Sequence, residues 1–237
     1  MMNLTNPKIS VVMAVGDVDL KYLNLSILSI LNQNFSNFEF IIILDTNNLF
    51  IVDLVKKYKK KDNRIKLIFN STKMGLARSL NIGIKKSISK YIARHDADDI
   101  SSYDRLYKQL SYLENNNNIS VLGSYAYKIN KDGKTIGKIN KKIKNKKLLY
   151  YENLLIHPST MFVKKIFYEV GQYNENLMVS QDYDLWIRFS QKYNLYVYPE
   201  YLIKLRIHSK SVSAINKELQ YIYSFFLHDE MEKIIHL

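Results

Sequence analysis

Cysteine is absent from the 237 residues, so disulfides and thiolate-held metals are excluded and a reducing, cytoplasmic setting is expected. Glycine and proline are scarce, at 7 and 3 residues, and never cluster into a linker. With no internal repeat either, the chain reads as one domain over 1–237, long enough for a single sizeable core. No apolar run reaches the roughly 18 residues that a membrane-spanning helix needs. The opening Met1-Met2-Asn3-Leu4-Thr5-Asn6 has no signal-peptide pattern. Negative charge is in short supply: 22 Asp and Glu stand against 35 Lys and Arg, for a net +13.

Much of the excess lies in two runs, Lys56-Lys57-Tyr58-Lys59-Lys60-Lys61 and Lys141-Lys142-Ile143-Lys144-Asn145-Lys146-Lys147. Nucleic acid, an anionic membrane face and a phosphorylated substrate all answer such charge. No helix-turn-helix, RNP-like or zinc-finger pattern accompanies it, so nucleic acid is not an expected partner. Each run alone reads as solvated surface. Beside a membrane-resident substrate, the two together would form a lipid-headgroup patch.

The first half alternates strand and helix signals. Ile9 to Val15, Phe38 to Leu44, Ile65 to Phe69 and Tyr91 to His95 are short apolar runs suited to strands buried on both faces. Between them, Leu20 to Leu31, about Leu49 to Lys61, and Met74 to Ser87 read as helices. This alternation predicts an α/β fold with right-handed crossovers and a parallel sheet. After residue 100 the rhythm changes. Asp104 to Leu113 reads as a helix, and Val121 to Ile129 with Lys134 to Ile139 as a hairpin turning at Asp132-Gly133. Ser159 to Val163 is a further strand, Gln181 opens a helix with acids in its first turn, and 214–237 is a helical tail.

The pentad His95-Asp96-Ala97-Asp98-Asp99 follows the fourth strand. Three carboxylates within four residues repel one another unless a cation lies between them. Such hard oxygen ligands suit Mg²⁺ or Mn²⁺, which usually arrive with a substrate's phosphates. An acidic turn with a helix cap is the plainer reading. Position favours the first: open α/β sheets bind ligands at the carboxyl ends of their strands.

Four separated polar sites thus fall at element ends: Asp45, the pentad, Asp182, and Arg206-Ile207-His208. From about Ile9 to Ser213 the chain resembles a family 2 glycosyltransferase of the GT-A fold. The resemblance is carried by Ile9 to Met13, Ser29 to Phe35 with Phe38 to Ile42, Gly75 to Asn81, Tyr91 to Asp99, His157-Pro158-Ser159, Val170 to Glu175, Gln181 to Trp186, and Arg206 to Ser213. It implies a UDP-sugar donor, with Asp45 reading the uracil edge and Asp96 near the ribose and metal. Asp98 would ligate the metal, Asp99 would ligate it or orient its neighbours, and His208 would add a late metal or phosphate contact. Arg206 would reach phosphate, Arg78 would reach phosphate or acceptor or else lie on the helix surface, and His95 and His157 would be structural or acceptor-side. Asp182 would be the general base that takes the acceptor hydroxyl's proton. Asp184 cannot share its cleft from a regular helix and would orient or cap.

Departures from the family pattern are local. The usual Glu-Asp is Gln181-Asp182, the usual Asp-Asp-Gly-Ser is Leu44-Asp45-Thr46-Asn47, and the first strand runs into Ala14-Val15-Gly16-Asp17. Residues 8–100 would bind the nucleotide and 101–213 the acceptor. The resemblance implies an inverting, Mn²⁺- or Mg²⁺-dependent hexosyltransferase. It would move a sugar to a glycan or lipid-linked acceptor in surface-polysaccharide or lipooligosaccharide assembly, peripheral at the inner membrane face. A sugar-phosphate nucleotidyltransferase is the enzyme rival, but Val15-Gly16-Asp17-Val18 lacks its Gly-rich phosphate loop. A non-catalytic basic module rests on charge alone.

Overall fold

The computed structural model describes residues 6–208 and, beyond them, 218, 219, 222 and 223. The expected helical tail over 214–237 therefore lies almost wholly outside the described residues, as do Lys210, Ser211 and Ser213.

The first half alternates β1 (Ile9–Val15), α1 (Leu20–Leu31), β2 (Phe38–Leu44), α2 (Leu49–Lys61), β3 (Ile65–Phe69), α3 (Leu76–Lys86) and β4 (Tyr91–Arg94). These four strands pair in parallel in the order β3-β2-β1-β4. Every residue of β1 and β2 is buried, as strands covered on both faces require. Val11, Met13, Phe40 and Ile42 pack toward α1 and α2, while Val12, Ile41 and Ile43 pack on the opposite face beneath α3. Each such side chain stabilises the fold by roughly 1.5–3 kcal/mol. Close approach of α3 to the sheet depends on Gly83, where a Cβ would meet Ile43 Cδ1 at 2.5 Å and Val12 Cγ1 at 2.9 Å. Asp19 and Asn48 cap α1 and α2, accepting from the backbone N–H of Lys21 and Phe50.

The second half extends the same sheet: β5 (Ile100–Ser101), α4 (Arg105–Asn115), β6 (Ile119–Ile129), β7 (Thr135–Ile139), β8 (Met161–Val163), α5 (Lys164–Glu169), α6 (Gln181–Lys192) and β9 (Asn194–Arg206). Strand order continues β4-β8-β6-β9-β5, with β7 hanging on β6. β8 is antiparallel to β4 and β6, whereas β9 runs parallel to β6. Trp186, buried completely on α6, anchors the helix against Phe162 of β8 and His157.

Three features differ from the sequence reading. The strand expected from Ser159 begins only at Met161, because Pro158 sets a 3-10 turn over His157–Ser159. α5 carries no sequence signal of its own at six residues. The long β9 was not foreseen, since Pro199 interrupts it. Register along β6 steps from Ser124↔Tyr198 to Tyr125↔Tyr201, so Pro199 and Glu200 bulge out and the missing N–H costs no ladder bond.

Candidate active site

β1 has β2 on one side and β4 on the other, so the sheet's direction of growth switches between β1 and β4. The acid turn follows β4 at that switch point, where open sheets form ligand crevices. Its main chain is fixed from several sides. His95 N–H reaches Val12 O at 3.1 Å, and Ser26 Oγ on α1 donates to Asp96 O at 2.7 Å. Arg206, at the end of β9, donates its backbone N–H to Asp99 Oδ1 (2.8 Å) and its Nε–H to Asp98 O (2.9 Å). Arg105 supports the turn from below, donating to Arg94 O at 2.7 Å and to Gln109 Oε1 at 2.9 Å.

The three carboxylates have distinct surroundings. Asp96 accepts from Arg94 Nη2 at 2.5 Å, and burial raises its pKa, partly offset by the Arg94 charge. Asp98 Oδ2 lies 2.9 Å from His208 Nε2. Asp99 is 1% exposed, and burial followed by repulsion from Asp98 and Asp96 pushes its carboxyl well above the ordinary range. It faces inward, toward Arg206. Among the described residues no three His, Asp or Glu side chains converge to hold a metal ion. The donor set nevertheless fits one: two carboxylates and an imidazole suit a Mg²⁺ or Mn²⁺ ion that takes its remaining ligands from a substrate's phosphates.

Two cavities meet at this turn, sharing Asp96, Asp98 and Leu76 as a wall. The larger, about 790 Å³, is lined by residues following β1 and β2 and by Tyr22, Ser79 and Lys131. The smaller, about 400 Å³, contains Asn153, His157, Ser180, Gln181 and Asp182. Both are of ligand-binding size.

Asp45 lies in the larger cavity and shapes it. Its carboxylate accepts the backbone N–H of Met74 (2.7 Å) and of Gly75 (2.9 Å), and Asn70 Nδ2 at 2.7 Å. Gly75 adopts φ +81° with ψ 172°, an extended positive-φ conformation open essentially to glycine, just before α3. The acid therefore secures the loop leading into α3 as well as facing the cavity.

Asp182 opens α6 and accepts from Asn153 Nδ2 at 2.9 Å. Burial raises its pKa, moderated by the Asn153 bond. The preceding Ser180 holds φ +58°, one of two non-glycine residues in the left-handed region among the described residues, the other being Gln172. Such strain clusters at working sites. Asp184 points elsewhere: it pairs with Arg188 at 2.5 Å, and that guanidinium also binds the carbonyls of Val170 and Gln172. His157 Nε2 meets Tyr173 OH at 2.7 Å, and burial depresses its pKa well below normal. His95, fully buried behind the acid turn, is depressed likewise by burial and by Arg105 and Arg94. Both imidazoles are held neutral.

Asp45, Asp96, Asp98, Asp99, Asp182 and His208 are thus gathered around two adjoining cavities. The two arginines expected to reach phosphate have other partners in the structure. Arg78 lies outside both cavities and approaches Glu175 at 3.6 Å. Arg206 is 3% exposed; it lines the smaller cavity and not the larger one. Its Nη1 donates to the carbonyls of Asn130 and Lys131, and its guanidinium stacks 4.2 Å over Tyr22. Arg94 and Asn153 were missed. Arg94 left a signal, a charge inside the apolar run before the pentad. Asn153, 29 residues from its partner acid, left none.

The profile of "Glycosyl transferase family 2" matches residues 10–171. An "Uncharacterized glycosyltransferase MJ1057" of Methanocaldococcus jannaschii is 40% identical over 228 residues, covering 93% of this chain and 78% of its own. The "O-antigen biosynthesis glycosyltransferase WbnJ" of Escherichia coli is 38% identical over 213 residues, covering 86% and 81%. Among solved structures, S. aureus TarS 1-349 in complex with UDP-GlcNAc superposes with TM-score 0.72 at 16% identity. That match covers 86% of this chain and 60% of the TarS chain, and it establishes the α/β GT-A architecture alone. The profile spans β1 through α5, with both the acid turn and Asp45 inside it, and the two relatives extend the match over α6 and Asp182. The chain belongs to glycosyl transferase family 2 and is a glycosyltransferase.

Proposed function

We propose that this enzyme transfers a sugar from a UDP-sugar, with inversion, to a hydroxyl of a glycan or lipid-linked acceptor in surface-polysaccharide assembly. One observation carries the reading: two cavities share the wall formed by Asp96 and Asp98, and Asp182 lies in the second. The nucleoside would occupy the larger cavity, against the loop that Asp45 secures. The diphosphate would meet the shared wall, and the donor sugar would face the smaller cavity. Asp98, Asp96 and His208 would hold a divalent ion, whose charge offsets that of the departing diphosphate.

Asp182 takes the proton as the acceptor oxygen attacks the anomeric carbon. The glycosidic C–O bond breaks on the opposite face, and its electron pair leaves with UDP. A single displacement of this kind inverts the anomeric centre. Burial makes Asp182 a stronger base, while Asn153 keeps its ionised form accessible. The TarS complexes with UDP and UDP-GlcNAc support a UDP-linked donor, and the O-antigen relative supports a polysaccharide setting.

No helix among the described residues is long and apolar enough to cross a membrane. Peripheral attachment at the cytoplasmic membrane face is proposed instead, through the exposed Lys56–Lys61 run on α2 beside exposed Leu49 and Phe50. The test is UDP release from a panel of UDP-sugars with Mn²⁺ or Mg²⁺. Acceptor-stimulated UDP release is expected; formation of UTP and a sugar 1-phosphate when pyrophosphate is supplied would point to nucleotidyl transfer instead.

A further inference from the structure

The larger cavity has an unbalanced charge. Asp17, Asp19, Asp45, Asp96 and Asp98 all line it, yet the proposed donor brings a diphosphate into the same space. Arg94 and Arg206 line the adjoining smaller cavity and not this one. Lys73 does, but its Nζ is bound to Asp17 Oδ2 at 2.9 Å, both groups being largely exposed. Lys131 also lines it, and among the described residues its ammonium has no hydrogen-bond or ion-pair partner.

Lys131 is on the turn joining β6 to β7, and this turn is closely fixed. Asn130 N–H bonds Lys134 O at 2.9 Å, and Asn130 Oδ1 accepts the backbone N–H of Asp132 and of Lys134, each at 3.0 Å. Gly133 supplies the left-handed residue, at φ +84°. Arg206 Nη1 then grips the turn through Asn130 O (2.9 Å) and Lys131 O (3.3 Å). The same guanidinium holds Asp98 O, and the same residue's backbone N–H holds Asp99. One buried arginine therefore fixes the Lys131 backbone relative to the acid turn. A flexible lysine stem is left to extend over the cavity from a stationary base.

We infer that Lys131 is a diphosphate-binding residue: its ammonium bonds the nucleotide's phosphates and offsets the charge that grows on them as the sugar departs. This rests on the UDP-sugar reading above. The ammonium keeps its proton throughout, the glycosidic electron pair ends on the β-phosphate oxygen, and the acceptor's proton goes to Asp182. The hairpin thus serves as a second phosphate clamp opposite Asp98, with Arg206 as its positioning residue.

Titration calorimetry with UDP and with uridine, at fixed Mg²⁺, separates phosphate from nucleoside binding. Lys131→Met should weaken UDP about tenfold, the loss of one charge-assisted hydrogen bond, and leave uridine unchanged. Lys131→Arg should restore most of the UDP affinity. Lys134→Met, on the same turn but outside the cavity lining, should bind both ligands normally. Equal losses for UDP and uridine in Lys131→Met would overturn the role, because hairpin damage rather than phosphate contact would then be at work. Undiminished UDP binding by Lys131→Met would overturn the lysine's role alone. Failure of the wild-type chain to bind UDP would overturn the donor reading and the clamp with it.

Discussion

The two cavities share a wall yet are built in different ways. On the donor side, carboxylates and carbonyls are fixed largely through main chain: Asp45 receives two backbone N–H groups, and the acid turn is tied to Val12, Ser26 and Arg206. On the other side, side chains hold side chains. Asp182 takes the Asn153 amide, His157 meets Tyr173, and Asp184 meets Arg188. Backbone bonds survive most substitutions; side-chain bonds vanish with one. The donor side is therefore suited to a ligand part that stays constant, and the acceptor side to one that changes as substrates change.

The sharpest test of this contrast is at the shared wall. Asp98→Asn keeps the shape of the side chain and removes the charge facing His208. Transfer and Mn²⁺-dependent UDP binding should both be abolished, with the melting temperature little changed. Metal-dependent UDP binding that persisted would refute the role of Asp98. Asp182→Asn should break the other cavity alone: turnover falls roughly 10²–10⁴-fold. UDP-sugar affinity should be retained, as measured by titration beside the rate. Asp184→Asn, which loosens only the Arg188 brace, should cost less in turnover. A loss of donor affinity in Asp182→Asn as large as its loss of rate would erase the division between the cavities.

Asn153 provides a finer test. Its amide N–H favours the ionised Asp182, so Asn153→Ala should raise the acid's pKa further. The base works only when ionised; the acid limb of the pH–rate profile should therefore move to higher pH. Turnover should drop about tenfold below the limb, the scale of one charge-assisted bond, and recover on the alkaline plateau. An unshifted limb would mean that Asn153 does not tune the base.

Legibility in the sequence followed the same division. Short apolar, β-branched runs such as Ile9–Val15 suit buried strands, and the helices between the strands carry plain periodicity. Asp45 and the acid turn were found because strand ends in a parallel sheet point to a crevice. β9 was hidden, because Pro199 reads as an interruption unless the bulge opposite β6 is known. Arg206 was read as a phosphate ligand because it sits beside His208. Its guanidinium is instead taken up by carbonyls of the acid turn and the hairpin, partners that lie 75 to 108 residues away in the chain and leave no local pattern. Pairings such as Asn153 with Asp182 exist only after folding and leave no local pattern.

The smallest effect concerns the backbone at the mouths of the two cavities. Both α3 and α6 begin after a positive-φ residue, Gly75 at φ +81° on the donor side and Ser180 at φ +58° on the other. A Cβ on Gly75 would meet nothing within 4 Å, so Gly75→Ala isolates conformational cost. Gly75 pairs that φ with ψ 172°, a region open essentially to glycine alone; the cost is about 1–3 kcal/mol, and at roughly 2–4 °C per kcal/mol for a chain of this size it should appear as a lowered melting temperature. Ser180→Gly runs the other way but gains little. Relief of about 1 kcal/mol of strain is largely cancelled by about 0.5–1 kcal/mol of added freedom in the unfolded chain. The melting temperature should therefore stay nearly constant. The serine is then no stability requirement, and what it contributes must be read in turnover: a looser start to α6 frees Asp182 to wander. Lower turnover at unchanged melting temperature would mark Ser180 as strain kept for positioning, whereas a clear rise in stability at full turnover would show the strain to be incidental.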